Sequence, residues 1–470
     1  MMNRFYIITV IFINVAISQI SDGYYLFSPV ISFPEENQVY KTFLMDTSGT
    51  IFHEWTHEKA TASTPYLLSD STLLRPCKID PPMFDAGGAG GLIQLVSWEN
   101  EVLWEYEILN TNESQHHDIE PLANGNILVI AWDRKSQAEA LAAGKASHTG
   151  DLWSEKIIEI MPIFPDSGTV IWEWHLWDHL IQDHDETIAN YGNVSESRGL
   201  LDINYALISN EGPLPPQFTN PDMVHLNAID YNEIVDQIVI SSRKTNEVYI
   251  IDHSISSVEA AGVGGNFLYR WGNPKIYDNG NTSDQILFAP HSVNWTSENE
   301  LIIFNNGVNR PLGNFSTVEI IQLPLFEGGA YHYEIDEAFS PELPTLSYDM
   351  NQNYYTQSQG GAFKLDDGNL LVTVSNMKTI LELNEVGEVE FEYYHDENGN
   401  LPRAQKYGVN YLSTYLVGDV NEDSLINILD IVQCVNIILN NSAYVENADL
   451  NQDNLIDILD IILIINIILV

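Results

Sequence analysis

Apolar residues in this chain fall in short runs broken by Gly, Asn and Asp, and long helical patterns are scarce before residue 415. Such runs, separated by turn residues, predict strands. Two kinds of run recur. The first is rich in Trp, Tyr and Glu: Thr50-Ile51-Phe52-His53-Glu54-Trp55, Glu101-Val102-Leu103-Trp104-Glu105-Tyr106, Thr169-Val170-Ile171-Trp172-Glu173-Trp174 and Glu388-Val389-Glu390-Phe391-Glu392-Tyr393. Phe267-Leu268-Tyr269-Arg270-Trp271-Gly272 is a weaker copy. Turns such as Asp46-Thr47-Ser48-Gly49 and Asn384-Glu385-Val386-Gly387 precede them, which predicts hairpins. The second kind is a turn leading into an apolar strand, as in Leu122-Ala123-Asn124-Gly125-Asn126-Ile127-Leu128 and Leu365-Asp366-Asp367-Gly368-Asn369-Leu370-Leu371, with a degenerate copy from Tyr66 to Leu74.

Together the two kinds of run make about six units over residues 23–415, each the size of a four-stranded propeller blade. The fold class predicted is all-β, a six-bladed β-propeller over residues 19–415, with the inner strands facing a central channel. Radial repetition closes each blade's core against its neighbours. Residues 176–222 break the pattern with an insertion rich in Asp, Pro and His, of the kind that forms lids or binding loops.

The chain has 470 residues, 44% of them apolar, enough for a large core. Its formal charge of −47 comes from 19 basic and 66 acidic residues. Such acidity argues against nucleic acid and anionic membrane as partners and suits solubility in a saline medium. Residues 1–18 read as a secretory signal: Arg4, an apolar stretch from Phe5 to Ile17, and small residues at Ala16-Ile17-Ser18. The stretch is too short to span a bilayer. The mature chain is expected to lack a membrane span and to be secreted, periplasmic or at the cell surface. Cys77 and Cys434 fall in different predicted domains and read as buried small hydrophobes, not a disulfide.

Candidate chemistry lies on histidines at matched points of three successive units. These are His116-His117-Asp118, Val224-His225-Leu226-Asn227 and Pro290-His291-Ser292, read as lying on the channel-facing strands. Any one of them alone is better read as a hydrogen-bonding structural residue. Matched positions put several imidazoles around one axis. Arg243 joins them in Ser241-Ser242-Arg243, where the small serines let a guanidinium point inward. Three imidazoles and a guanidinium form an anion pocket, because Arg presents forked donors to a tetrahedral oxyanion. A neighbouring cation keeps a histidine neutral and nucleophilic, and another serves as acid or base. Three histidines also suit zinc or copper, but Arg243 in the same pocket repels a dication.

From residue 416 the pattern changes. Asp419 to Asp430 is a twelve-residue loop, and Asp449 to Asp460 repeats it thirty residues later. Oxygen-bearing side chains stand at Asp419, Asn421, Asp423, Asn427 and Asp430, and at Asn451, Asp453 and Asp457 between Asp449 and Asp460. Leu425 and Leu455 offer backbone carbonyls at the seventh position. That spacing builds an oxygen cage for Ca²⁺. Each loop runs into an apolar helix, the last being apolar nearly all round and expected to be buried. This pair, over 416–470, resembles a type I dockerin, which implies calcium-dependent folding and docking to a cohesin on another protein. Ser424 and Asn454 stand where the turn glycine is usual, and the partner-facing pairs Ile428-Leu429 and Ile458-Leu459 are unusually apolar.

The propeller resembles the bacterial aryl-sulfate sulfotransferases, which use no nucleotide sulfate donor. The motifs are His116-His117-Asp118 ahead of Asn124-Gly125-Asn126, then His225-Leu226-Asn227 with Ser241-Ser242-Arg243, and Pro290-His291-Ser292 ahead of Phe304-Asn305-Asn306-Gly307. Lys244 follows Arg243 where many members carry histidine. The resemblance implies ping-pong transfer of a sulfuryl group from an aryl sulfate to a phenolic acceptor through a sulfohistidine. His291 then matches the nucleophile, His225 and Arg243 bind sulfuryl oxygens, and His117 binds or does acid–base work. His116 is the less fitting of its pair. Two other outcomes stay open: a propeller that binds a sulfated glycan or other anion without turnover, tethered through the dockerin, and a hydrolase that passes the group to water.

Overall fold

The computed structural model describes residues 20–31, 34–35, 37–80, 82–205, 221–324, 326–327, 330–333, 337–409, 411, 418–421, 426–440, 445–451 and 455–468. The proposed signal segment lies outside these residues. Six antiparallel four-stranded sheets form the six blades of a propeller. Blade 1 joins Ala404–Gly408 from the far end of the chain to Gly23–Phe27, Tyr40–Asp46 and Ile51–His57. Gly23 stands opposite Gly408 and Phe27 opposite Ala404, so this pairing closes the ring. Blade 2 is Tyr66–Leu67, Leu73–Lys78, Gly91–Val96 and Val102–Glu107; blade 3 is Glu113–Pro121, Ile127–Lys135, Leu152–Ile163 and Ser167–His175. Blade 4 is Leu226–Asn232, Gln237–Ser242, Glu247–Asp252 and Tyr269–Trp271; blade 5 is Ser292–Ser297, Glu300–Asn305, Thr317–Gln322 and Leu346–Tyr348. Blade 6 is Gly361–Lys364, Leu370–Val374, Thr379–Leu383 and Val389–Tyr394.

The first strands of blades 3 to 6 pack against one another around the axis. The Trp-Glu runs are the outermost strands, and their aromatic residues join each blade to the next. Trp55 Nε1 donates to Ser97 O at 3.0 Å, Trp104 Nε1 to Ser167 O at 2.7 Å, Trp172 Nε1 to Ile255 O at 2.8 Å and Trp271 Nε1 to Pro341 O at 2.7 Å. Tyr348 Oη donates to Glu385 O at 3.0 Å, and Phe391 stacks on Tyr25 at 4.9 Å, completing the circle. A buried indole supplies apolar area while its N–H needs a partner, so one residue type both packs and aligns neighbouring blades. Truncating one of these tryptophans to Ala should cost about 3–5 kcal/mol.

Only His117 of the three key histidines lies inside a strand; His225 and His291 each stand one residue before theirs. Cys77 and Cys434 are both buried and form no disulfide. In the C-terminal region Ile428–Asn440 and Ile458–Ile468 are helices, packed through Cys434, Ile437 and Ile464 with Val420 and Ala448. The last helix is not buried as its composition suggests: Ile458, Leu459, Ile462, Ile467 and Ile468 are exposed. One stripe through Asp460 and Ile464 suffices to dock an eleven-residue helix, and the rest of its apolar surface faces outward.

Candidate functional site

The three histidines converge at one end of the channel because the chain leaves regular strand geometry there. In blade 3 the pairing shifts register between Gln115 and Ile119, and His117 takes φ 49°. Its N–H donates to Gly88 O at 2.8 Å. His225 takes φ 57° just before its strand, and its carbonyl accepts the Arg243 N–H at 3.1 Å. A non-glycine residue in the left-handed region costs about 1–2 kcal/mol, and two such residues here turn their rings to the same side. The His117 and His225 rings lie 4.6 Å apart, and His225 and His291 6.4 Å apart. All three line a cavity of about 720 Å³ with Arg243, Lys244 and Asp222. The structure thus brings together His117, His225, Arg243 and His291, the four residues singled out in the sequence.

Hydrogen bonds set the state of each ring. The Asn306 amide donates to Thr356 O at 3.0 Å and Gln359 O at 2.8 Å, which points its Oδ1 at His291. His291 Nδ1 lies 2.9 Å from that oxygen and 3.0 Å from Ala289 O. With two acceptors against it, Nδ1 carries the proton and the lone pair sits on Nε2. Burial, then the charges of Arg243 and His225, push His291 down to about 3, so the ring is neutral. The neutral ring expected beside a cation is present, with burial as the larger cause.

His225 Nδ1 lies 2.5 Å from Asp222 Oδ2. Burial raises Asp222, but His225 and Lys244 outweigh it and hold the carboxyl well below the ordinary range. Lys244 contacts the Asp222 backbone oxygen and lies 3.9 Å from its carboxylate. His117 Nδ1 lies 2.8 Å from His116 Nδ1, whose Nε2 is 2.7 Å from buried Glu155. Gly88 (φ 78°) lies against the His117 ring, where a Cβ would come within 2.1 Å.

Four of these neighbours escaped sequence reasoning as site residues. Asn306 sits in the quoted Phe-Asn-Asn-Gly run, and Gly88 in the run Gly87-Gly88-Ala89-Gly90-Gly91, a visible cue for close backbone approach. Asp222 ends the 176–222 insertion, and Glu155 belongs to a strand with no distinguishing pattern.

The model of the family described as Arylsulfotransferase (ASST) matches residues 18–405. The chain belongs to the arylsulfotransferase family. Residues 417–469 of this arylsulfotransferase-family protein match the Dockerin type I domain. No curated protein matches the chain. Among solved structures it is similar to a protein of unknown function from Bacteroides caccae, at 10% identity and TM-score 0.45, covering 82% of this chain and 98% of that one. TolB from Acinetobacter baumannii is similar at 11% identity and TM-score 0.40, covering 82% and 66%. Apo AztD from Citrobacter koseri follows at 10% identity and TM-score 0.37, covering 82% and 99%.

In the dockerin loops Asp423, Leu425 and Asp453 lie outside the described residues, as do Ser424 and Asn454. Both loops close on their final carboxylate in the same way. Asp430 accepts the N–H groups of Asn421 (3.1 Å) and Asn427 (2.8 Å); Asp460 accepts those of Leu450 (2.8 Å), Asn451 (3.3 Å) and Asp457 (2.8 Å). Asp419 and Asp430, and likewise Asp449 and Asp460, are buried. Two buried carboxylates in each loop supply the hard oxygen donors that Ca²⁺ takes.

Proposed function

We propose that this protein is a secreted sulfotransferase that moves a sulfuryl group from an aryl sulfate to a phenolic acceptor through a sulfohistidine at His291. The observation that carries the reading is the Nδ1–H state of a neutral, buried His291 beside Arg243 in a cationic cavity. Nε2 attacks sulfur in line, the sulfur–oxygen bond to the phenol breaks, and the phenolic oxygen takes a proton. The acceptor phenol then attacks the same sulfur from the vacated side and gives up its proton. Arg243 and His225 face the sulfuryl oxygens, whose charge spreads in the transition state; fixed donors there supply most of the barrier reduction. Asp222 orients His225 through Nδ1.

The dockerin would hold two Ca²⁺ ions and seat the enzyme on a cohesin-bearing protein outside the cell. Exposed Ile428, Leu429, Ile458 and Leu459 give that contact an apolar centre.

Purified protein incubated with p-nitrophenyl sulfate and a panel of phenols should release nitrophenol faster as acceptor is added. No acceptor dependence with any phenol would sink transfer; release without acceptor at full rate would mark a hydrolase. His291→Asn should abolish labelling by a radioactive sulfate donor while leaving the fold intact.

A further inference from the structure

Behind the cavity, a chain of buried groups runs away from His117 and has no part in holding the sulfuryl group. His116 lies between His117 and Glu155, with nitrogen–nitrogen and nitrogen–oxygen distances of 2.8 and 2.7 Å. Its ring stacks on Trp132 at 4.0 Å, which holds both nitrogens in line with their partners. The other Glu155 oxygen accepts the Leu226 N–H at 3.1 Å. His116 and Glu155 are fully buried, so bulk water is not their proton partner.

We infer that Glu155 and His116 form a proton wire that makes His117 the acid–base residue of the transfer, with Glu155 storing the proton between the two half-reactions. This rests on the transfer reading of the pocket.

The bond count closes. With Glu155 a carboxylic acid, its O–H donates to His116 Nε2, His116 Nδ1–H donates to His117 Nδ1, and His117 presents Nε2–H to the cavity. When the phenolate leaves sulfur it takes that proton. The His116 Nδ1 proton passes to His117 Nδ1, and the Glu155 proton passes to His116 Nε2. The wire then holds a carboxylate at one end and an Nε2 lone pair at the other. The acceptor phenol returns one proton to Nε2 as its oxygen bonds to sulfur, and the wire resets. No imidazolium forms at any point.

The surroundings favour this assignment. Burial pushes His116 down to about 3, and burial with the charges of His225, His116, His291 and Arg403 holds His117 well below the usual histidine range. Neither ring therefore stores the proton. Burial and then Asp222 hold Glu155 well above the ordinary carboxyl range, opposed by the Leu226 N–H, His225 and Lys244. A carboxyl so placed is held in its acid form, the form that donates into the wire.

The test is Glu155→Gln in the full chain. The amide still hydrogen-bonds His116 but neither stores nor releases a proton. In a single turnover without acceptor, release of nitrophenolate from p-nitrophenyl sulfate, which leaves without a proton, should fall least. With aryl sulfates of weakly acidic phenols, donor cleavage should fall by about 10²–10⁴. A loss of the same factor for every donor, or no loss for any, would overturn the wire. Histidine-labelled wild-type protein gives a readout independent of turnover. The ¹⁵N shifts of His117 should move from an Nε2–H to an Nδ1–H tautomer as pH rises through the Glu155 titration. A single His117 tautomer across the range in which the fold persists would also refute it. Wild-type protein that transfers to no phenol but shows the tautomer change would reject the transfer reading and keep the wire.

Discussion

Replacing Asn306 tests the claim that the state of His291 is imposed by its neighbours. In the native protein two acceptors hold the Nδ1 proton, at 2.9 and 3.0 Å. Each hydrogen bond is worth about 1 kcal/mol net, and the reversed tautomer would also leave two acceptors facing a lone pair, so the preference is roughly 2–4 kcal/mol. Asn306→Ala keeps only Ala289 O and should lower kcat about 10-fold. Asn306→Asp is the sharper probe, because a carboxylate beside the ring favours imidazolium. An adjacent opposite charge raises a histidine by about 1–3 pH units, or ~1.4–4 kcal/mol. The native ring, pushed down to about 3, keeps its lone pair through the acid range. The variant ring would lose it as pH falls through a higher value. The acid limb of kcat/KM for p-nitrophenyl sulfate should therefore move up by about 1–3 pH units. Loss of the donors to Thr356 O and Gln359 O will lower stability, so melting curves accompany the rates. A folded, active Asn306→Asp variant whose acid limb coincides with that of wild type would refute the argument.

Further outcomes follow from the same geometry. Gly88→Ala should displace the His117 ring, since the added Cβ meets it at 2.1 Å in a left-handed backbone; turnover should fall at least 10-fold with only about 1–3 kcal/mol lost in urea unfolding. Glu247→Ala should cost about 3–5 kcal/mol in the same measurement, because it strands Arg270, which is fully buried and held at 2.6 and 2.9 Å by that carboxylate. Chelation of the intact protein should reduce its helical circular dichroism while the tryptophan near-ultraviolet signal of the propeller persists; an unchanged far-ultraviolet spectrum would count against calcium in the loops.

Local repetition explains why so much could be read from the chain. A blade is a short-range object: hairpin turns such as Asn124-Gly125 and the recurrent Trp-Glu strands are complete within one unit, so five of the six blades show their outer strand as an echo in the sequence. The ring closure by Ala404–Gly408 is a long-range pairing with no local signal, as is the outer strand Leu346–Tyr348, which lacks a tryptophan.

The same division holds at the site. Sequence alone determined the propeller and the calcium-loop pattern, and it pointed to His117, His225 and His291 as neighbours, because equivalent positions in a repeat meet at its axis, with Arg243 one strand on from His225. Tertiary structure decided what those residues are chemically. The proton on His291 is placed by Asn306 and Ala289, the orientation of His225 by Asp222 from the insertion, and the backing of His117 by Glu155 from a different strand. Protonation and tautomer depend on burial and on partners aimed by the fold, some from a different strand, as Glu155 is, and some, such as Asp222 and Ala289, near in the chain but turned onto the ring by the backbone. Those quantities belong to the folded neighbourhood and to no segment of the chain.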